Sequence, residues 1–208
     1  MIRLEHADKK WIFPFVEYSP AKANGKLPLI IQLHGAGERG DGKDCLSLVD
    51  VHGFSKVILN KEFPCRFIMP QCPKNTFWVA KIESIMSFIN QLIKEYDVDV
   101  NRIYLTGLSM GGYGTWFTAM AYPNVFAAIA PVCGGGMAWN ASVLKMPIWA
   151  FHGAEDMTVS PTQSDQMVTA LKNVGADVKY TRLDGVGHNA WDYAYNEQLI
   201  DWLLQHHL

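Results

Sequence analysis

What this chain lacks narrows its possible roles before any motif is read. No run of apolar residues approaches the ~18 needed to cross a bilayer. Neither sign of charge dominates: 18 Lys and Arg stand against 20 Asp and Glu, for a formal net charge of −2. With both signs scattered, there is no basic stripe to follow a nucleic-acid backbone and no polybasic patch to hold a membrane surface. The opening residues, Met1 to Lys10, hold no apolar core of the signal-peptide kind. The expectation is a cytoplasmic protein, or a secreted one where a leader has been removed.

Cysteine is scarce as well, with four in 208 residues. Cys65 and Cys72 bracket the apolar run Arg66-Phe67-Ile68-Met69-Pro70-Gln71. Seven steps of extended chain would hold them roughly 23 Å apart, whereas bridged Cα atoms lie within about 7 Å. A disulfide between them is excluded if that run is a strand. Cys45 and Cys133 have no C-x-x-C or His spacing that would suggest a metal. All four read as small buried hydrophobes.

What is present is a sharp strand-to-helix turn with a serine at its apex. Gly107-Leu108-Ser109-Met110-Gly111-Gly112 follows the apolar run Arg102-Ile103-Tyr104-Leu105-Thr106 directly. This is a G-x-S-x-G nucleophile elbow in the context that gives such a motif its meaning. Gly107 and Gly111 flank the serine, where glycine supplies both free backbone angles and room for close contact. Gly112 and Gly114 let the following helix lie close to the sheet.

A serine hydroxyl becomes a nucleophile only when an oriented base takes its proton. The order expected downstream of such an elbow is acid, then histidine. Of the four histidines after Ser109, His206 and His207 lie at the terminus, and His152 ends an apolar strand. His188 instead sits in the Gly-rich loop Asp184-Gly185-Val186-Gly187-His188-Asn189, which can swing its ring toward the serine, so His188 is the expected base. The loop Gly153-Ala154-Glu155-Asp156-Met157 offers two acids. Asp156 is preferred over Glu155 because it lies deeper and loses less rotamer freedom in holding an imidazole. Asp184 and Asp192 lie too near His188 in sequence to serve.

The strand-like Leu29-Ile30-Ile31-Gln32-Leu33 runs into His34-Gly35-Ala36-Gly37-Glu38-Arg39-Gly40. A backbone N–H from such a loop, here Ala36, and the N–H after the nucleophile, Met110, are the expected oxyanion donors. His34 precedes the serine, and its expected role is a hydrogen bond that pins the loop.

These segments, together with Phe151-His152-Gly153-Ala154-Glu155-Asp156 and Gly187-His188-Asn189-Ala190-Trp191-Asp192, resemble the α/β-hydrolase superfamily. More narrowly, they resemble the small phospholipase/carboxylesterase-like group, often labelled predicted peptidases, which borders on polyhydroxybutyrate-depolymerase and feruloyl-esterase-like proteins. The resemblance runs from about Trp11 to Leu204 and implies Ser109, Asp156 and His188 as a triad, the same assignment that order and chemistry give. The acid loop departs from many relatives at Val159-Ser160-Pro161, where a proline more often follows the valine directly. The dienelactone-hydrolase branch is similar but typically carries a cysteine nucleophile, so lactone chemistry of that kind is not expected with serine at 109.

With 49% hydrophobic and 18% charged residues, the chain is long enough for one substantial core. Ile82, Ile85, Met86, Ile89, Leu92, Ile93 and Tyr96 recur at helical spacing. Phe126–Val132 and Pro147–Phe151 read as buried strands. A helix is expected from Gln163 to Gly175, capped by Ser160 with Pro161 in its first turn, and another from Trp191 to Gln205. This alternation predicts a single domain over residues 1–208, of α/β class. The α/β-hydrolase fold would have a mainly parallel central sheet with helices on both faces.

About 47 positions separate Ser109 from Asp156, room for the elbow helix and two strands but no lid domain. An open site favours soluble or polymer-attached esters over long-chain lipid. Trp78, Trp139 and Trp191 are candidates for aromatic walls around a planar or sugar-linked acyl group. The function expected is serine carboxylesterase chemistry on short-chain, aromatic or sugar-linked esters, needing no metal or cofactor. A peptidase or amidase on the same triad, and a non-catalytic binder on the same fold, are the alternatives.

Overall fold

A computed structural model gives the structure of the protein and describes residues 1–23, 25–43, 45–59 and 61–208. Among the described residues, eight strands form one sheet: β1 (Ile2–His6), β2 (Phe15–Ser19), β3 (Leu27–Leu33), β4 (Arg66–Pro70), β5 (Val98–Leu108), β6 (Ala128–Val132), β7 (Ile148–Gly153) and β8 (Val178–Leu183). Their spatial order is β1-β2-β4-β3-β5-β6-β7-β8. β1 and β2 pair antiparallel, as do β2 and β4, and every later pairing is parallel. The fold is that of an α/β-hydrolase, and no lid domain intervenes between β6 and β7.

The helices are α1 (Ser55–Ile58), α2 (Ile82–Glu95), α3 (Met110–Ala121), α4 (Thr162–Asn173), α5 (Trp191–Ala194) and α6 (Glu197–Leu204). Parallel strands need crossovers, and these crossovers cover both faces of the sheet. On one face α2 buries Ile85, Phe88, Ile89 and Leu92, α3 buries Trp116 and Ala119, and α4 buries Met167, Val168 and Leu171. The other face is closed by Phe54 and Ile58 and by Leu199, Ile200 and Leu203 of α6. Strands buried on both sides read as unbroken apolar runs: all of β3, β6 and β7 lies inside.

Several expected boundaries move. The C-terminal helix is two helices, because Tyr195 turns extended and the Asn196 side chain accepts the Leu199 N–H, capping a fresh start. Helix α4 begins at Thr162 with Pro161 in the cap position. The Ser160 hydroxyl pairs with the Thr162 hydroxyl at 2.8 Å and caps nothing. Gly175 follows this helix with φ +69°, the left-handed stop its identity suggested. Phe88 joins the buried stripe of α2 although the sequence reading passed over it. Cys65, Cys72 and Cys133 are buried free thiols, whereas Cys45 is half-buried with its Sγ 3.6 Å from Asp41 Oδ1.

Candidate active site

Ser109 ends β5 and opens α3 with φ 54° and ψ −115°, backbone angles that a residue bearing a Cβ rarely adopts. Such a conformation costs on the order of 1–3 kcal/mol and persists only where the surroundings over-determine it. Here the Ser109 N–H donates to the Val132 carbonyl at 2.9 Å, and the Ser109 carbonyl accepts from Tyr113 at 3.1 Å. The flanking glycines supply space and not backbone angle, a correction to the reading from sequence. A Cβ on Gly107 would stand 2.3 Å from the Gly111 carbonyl oxygen, and one on Gly111 would stand 2.0 Å from that of Leu33. Neither glycine has positive φ; the strained residue is the serine. Gly112 meets the Val132 carbonyl in the same way, at 2.4 Å, which brings the start of α3 down onto the sheet.

His188 comes to the serine from the loop after β8. Its Nε2 lies 2.8 Å from Ser109 Oγ, and its Nδ1 lies 2.7 Å from Asp156 Oδ2. Asp156 is buried in the turn after β7, where its Oδ1 accepts the N–H groups of Thr158 and Val159, both at 2.9 Å. Burial pushes its carboxyl up. The His188 hydrogen bond and the two backbone donors outweigh this and hold the group below the usual carboxylate range. With a carboxylate facing Nδ1, the imidazole carries its proton there and presents a bare Nε2 to the serine hydroxyl. The loops that carry His188 and Asp156 are nested: a Cβ on Gly153 would stand 2.0 Å from the Gly187 carbonyl oxygen, and the Glu155 N–H donates to the Val186 carbonyl. Glu155 and Asp184 are exposed, and Asp192 pairs with Lys56 and Asn189, so none of the three contacts the imidazole.

The loop after β3 borders the serine. His34 is buried; its Nδ1–H donates to the Gly35 carbonyl at 2.6 Å and its Nε2 accepts the Cys72 N–H at 2.9 Å. Burial pushes its pKa down to about 4, so the neutral ring serves as a structural clamp. Ala36 is the first residue of a 3-10 turn, Ala36–Glu38, and Met110 is the first residue of α3. The leading N–H groups of a helix have no acceptor within it, so both expected oxyanion donors occupy positions where a donor is left over.

A cleft of about 260 Å³ opens over Ser109 and His188, bounded by Ala36, Glu38, Leu108, Thr158 and Trp191. Of the three expected aromatic walls, only Trp191 lines it, with its ring edge-on to His188 at 5.0 Å between centroids. Trp78 is wholly buried. Its position under the loop is set by its indole N–H, which donates to the His34 carbonyl at 3.0 Å, and by Gly114, which packs on its Cβ. Trp139 is 82% exposed and stands outside the cleft.

Three neighbours were not singled out from sequence. Among the described residues, Glu38 is the one Asp, Glu, Lys or Arg lining the cleft, with its carboxylate 3.7 Å from His34 Nδ1 and 3.9 Å from His52 Nε2. The Cys133 thiol, just past β6, donates to the His188 carbonyl at 3.4 Å. Cys133, Asp156 and His188 bring ligand-type atoms within 4.8 Å of one another. However, the acid and the imidazole are already bonded to each other, and burial pushes the thiol up to about 12, which keeps it protonated. The third neighbour is His152, behind Asp156. Among the described residues, no helix is long and apolar enough to cross a membrane.

The dienelactone hydrolase family model matches residues 62–197, a stretch that holds all of Ser109, Asp156 and His188. The chain belongs to the dienelactone hydrolase family. Over 139 residues, 65% of its length, it is 32% identical to the bifunctional acetylxylan esterase/xylanase XynS20E of Neocallimastix patriciarum. It is 28% identical to poly(3-hydroxyalkanoate) depolymerase C of Paucimonas lemoignei, over 89% of its length. The chain spans only 20% of the first relative and 55% of the second. A solved thermostable esterase superposes on the whole chain with a TM-score of 0.83 at 33% identity, the chain covering 63% of that structure. The family match carries the superfamily expectation, and it includes the dienelactone branch although position 109 is serine.

Proposed function

We propose that this member of the dienelactone hydrolase family is a serine carboxylesterase acting on short-chain esters, including esters carried on sugars or polymers. The observation that carries the reading is the continuous chain from Ser109 Oγ to His188 Nε2 at 2.8 Å and from His188 Nδ1 to Asp156 Oδ2 at 2.7 Å. Relatives named for acetylxylan and polyester hydrolysis support the ester class.

In this reading His188 removes the hydroxyl proton as Ser109 Oγ bonds to the ester carbonyl carbon. The carbonyl oxygen becomes an alkoxide facing the N–H groups of Ala36 and Met110. Collapse of this intermediate breaks the carbon–oxygen bond to the alcohol, which leaves with the proton from His188. Water, deprotonated by the same imidazole, then releases the acid and restores Ser109. Asp156 holds the imidazole tautomer throughout and remains ionised.

The test is Ser109→Ala assayed on p-nitrophenyl acetate, with circular dichroism to confirm folding. A loss of at least ~10³-fold is expected from a cooperative triad. Covalent labelling of the parent protein by a phosphonate, absent in the variant, is the companion result. Retention of most activity by the folded variant excludes Ser109 as nucleophile.

A further inference from the structure

We propose that His152 is a positioning residue for the catalytic acid, holding Asp156 and its loop from the side opposite His188. The inference rests on the triad reading above. His152 is the fifth residue of β7 and is wholly buried. Its Nε2 lies 2.9 Å from the Val159 carbonyl oxygen and 3.3 Å from Asp156 Oδ2. Its Nδ1 lies 2.7 Å from Ser164 Oγ. Oδ2 of Asp156 therefore faces two imidazoles, His188 at 2.7 Å and His152 at 3.3 Å.

The positions of the protons follow from what surrounds the ring. Both neighbours of Nε2 are acceptors, so Nε2 carries a proton. Burial holds the His152 pKa below the ordinary histidine range, so the ring is neutral and Nδ1 is bare. Ser164 supplies the proton Nδ1 lacks. The same hydroxyl lies 2.9 Å from the Gly134 carbonyl, its other acceptor, so with the ring proton on Nε2 the Ser164 proton is shared between that carbonyl and Nδ1. The ring thus bridges α4, through Ser164, to the acid loop, through Val159. Val159 in turn donates its own N–H to Asp156 Oδ1, so the turn from Asp156 to Val159 is clamped at both ends.

A neutral N–H beside Oδ2 has a defined electrostatic sense. It draws carboxylate charge on Asp156 Oδ2 away from His188. The other titratable groups around the two residues are His188, Cys133 and Tyr113 beside Asp156, and Asp165 beside His152. A buried histidine needed only for packing would have no call for its donor end to face the catalytic carboxylate.

Asparagine and glutamine separate the two ends of the ring. His152→Asn reaches Ser164 but loses the donor toward Val159 and Asp156, whereas His152→Gln reaches that acid loop with an N–H. We expect His152→Asn to lower kcat by about tenfold or more with KM within about twofold, as small misplacements of a catalytic group do. The acid limb of its kcat/KM profile should move up by about half a pH unit, because the carboxylate regains basicity. His152→Gln should restore most of the rate and the parent profile. Nitrogen-15 NMR of the parent protein should show His152 neutral with its proton on Nε2 at pH 7. A folded His152→Asn with parent kcat and an unmoved acid limb overturns the inference. So does a proton found on Nδ1 alone, or on both nitrogens, which settles the matter even if the Asn variant fails to fold. Ser109→Ala run alongside distinguishes the failures: an active Ser109→Ala removes the triad reading, while an inactive one beside an unaffected His152→Asn removes only this proposal.

Discussion

Asp156 Oδ2 and His188 Nδ1 lie 2.7 Å apart although 32 positions separate them in sequence, and the contact depends on Gly153 passing beneath the Gly187 carbonyl with no room for a Cβ. Replacing the acid by its amide should therefore leave the loops in place and change only the proton arrangement. Asp156→Asn is expected to cost on the order of 10⁴-fold in kcat by favouring the wrong tautomer of His188. Glu155→Gln, at an exposed side chain, should cost less than about threefold. The check is kcat for both variants on one acetyl ester; the reverse ranking would assign the role to Glu155.

Acyl length should matter in a characteristic way. A cleft of about 260 Å³ holds a small acyl group, and each further methylene gains about 0.8 kcal/mol only if a pocket buries it. Esters of two to four carbons should be hydrolysed with kcat/KM at least equal to that for ten-carbon esters. A series of p-nitrophenyl esters below their micelle concentrations decides this, and a steady rise through ten or twelve carbons would restore a lipase.

Charge on the acyl group should count against a substrate. Among the described residues, Glu38 is the one Asp, Glu, Lys or Arg lining the cleft, so no cationic side chain there pairs with an anion. Neutral esters should therefore outpace hemisuccinate esters of the same alcohol by about tenfold or more at low salt. Glu38→Gln should narrow that ratio, and added salt should narrow it in the parent protein. An unchanged ratio in Glu38→Gln would mean the carboxylate does not feel the substrate.

Stability should fall with acid earlier than carboxylates alone would cause. Burial holds His34 at about 4, against an ordinary unfolded value of about 6.5. Between these values the unfolded chain binds a proton that the folded chain refuses, so stability is full above about pH 6.5 and declines as pH falls toward about 4. Burial lowers His152 in the same sense. Urea unfolding followed from pH 8 to 4.5 should show this slope, and His34→Asn should flatten it while lowering stability at pH 8, where the ring's two hydrogen bonds are lost. A parallel slope in the variant would exclude His34 as its source.

The expectations that the structure bears out rest on local chemistry. The elbow at Ser109, the strand ends and the position of His34 are legible because glycines, apolar runs and turn residues act on near neighbours. The site residues also come to hand because loops at the carboxyl ends of parallel strands converge at one edge of the sheet. Where the structure departs from the sequence pattern, tertiary packing decides. Trp78 looked like a rim residue because no spacing rule shows that its indole N–H is drawn under the His34 carbonyl. Trp139 has the right position in the chain but is exposed and does not line the cleft. His152 reads from sequence as the end of an apolar strand, and only the fold places Asp156, Val159 and Ser164 around its ring. The break before α6 did carry a local signal, since Asn196-Glu197 ahead of an apolar run is a helix start.

Ser109 and Cys133 are the two non-glycine residues among those described that take positive φ, at 54° and 49°, and they follow neighbouring strands β5 and β6. Each is anchored by its N–H to the next strand along, Ser109 to Val132 and Cys133 to Phe151. Two adjacent turns thus sit in unfavourable backbone conformations, with the sheet interior beneath them keeping them there. Loosening β6 would relax both turns together, taking Ser109 and the support of the His188 loop out of register in one event. The geometry of the candidate site and the seating of that central strand are therefore a single cooperative property of this molecule.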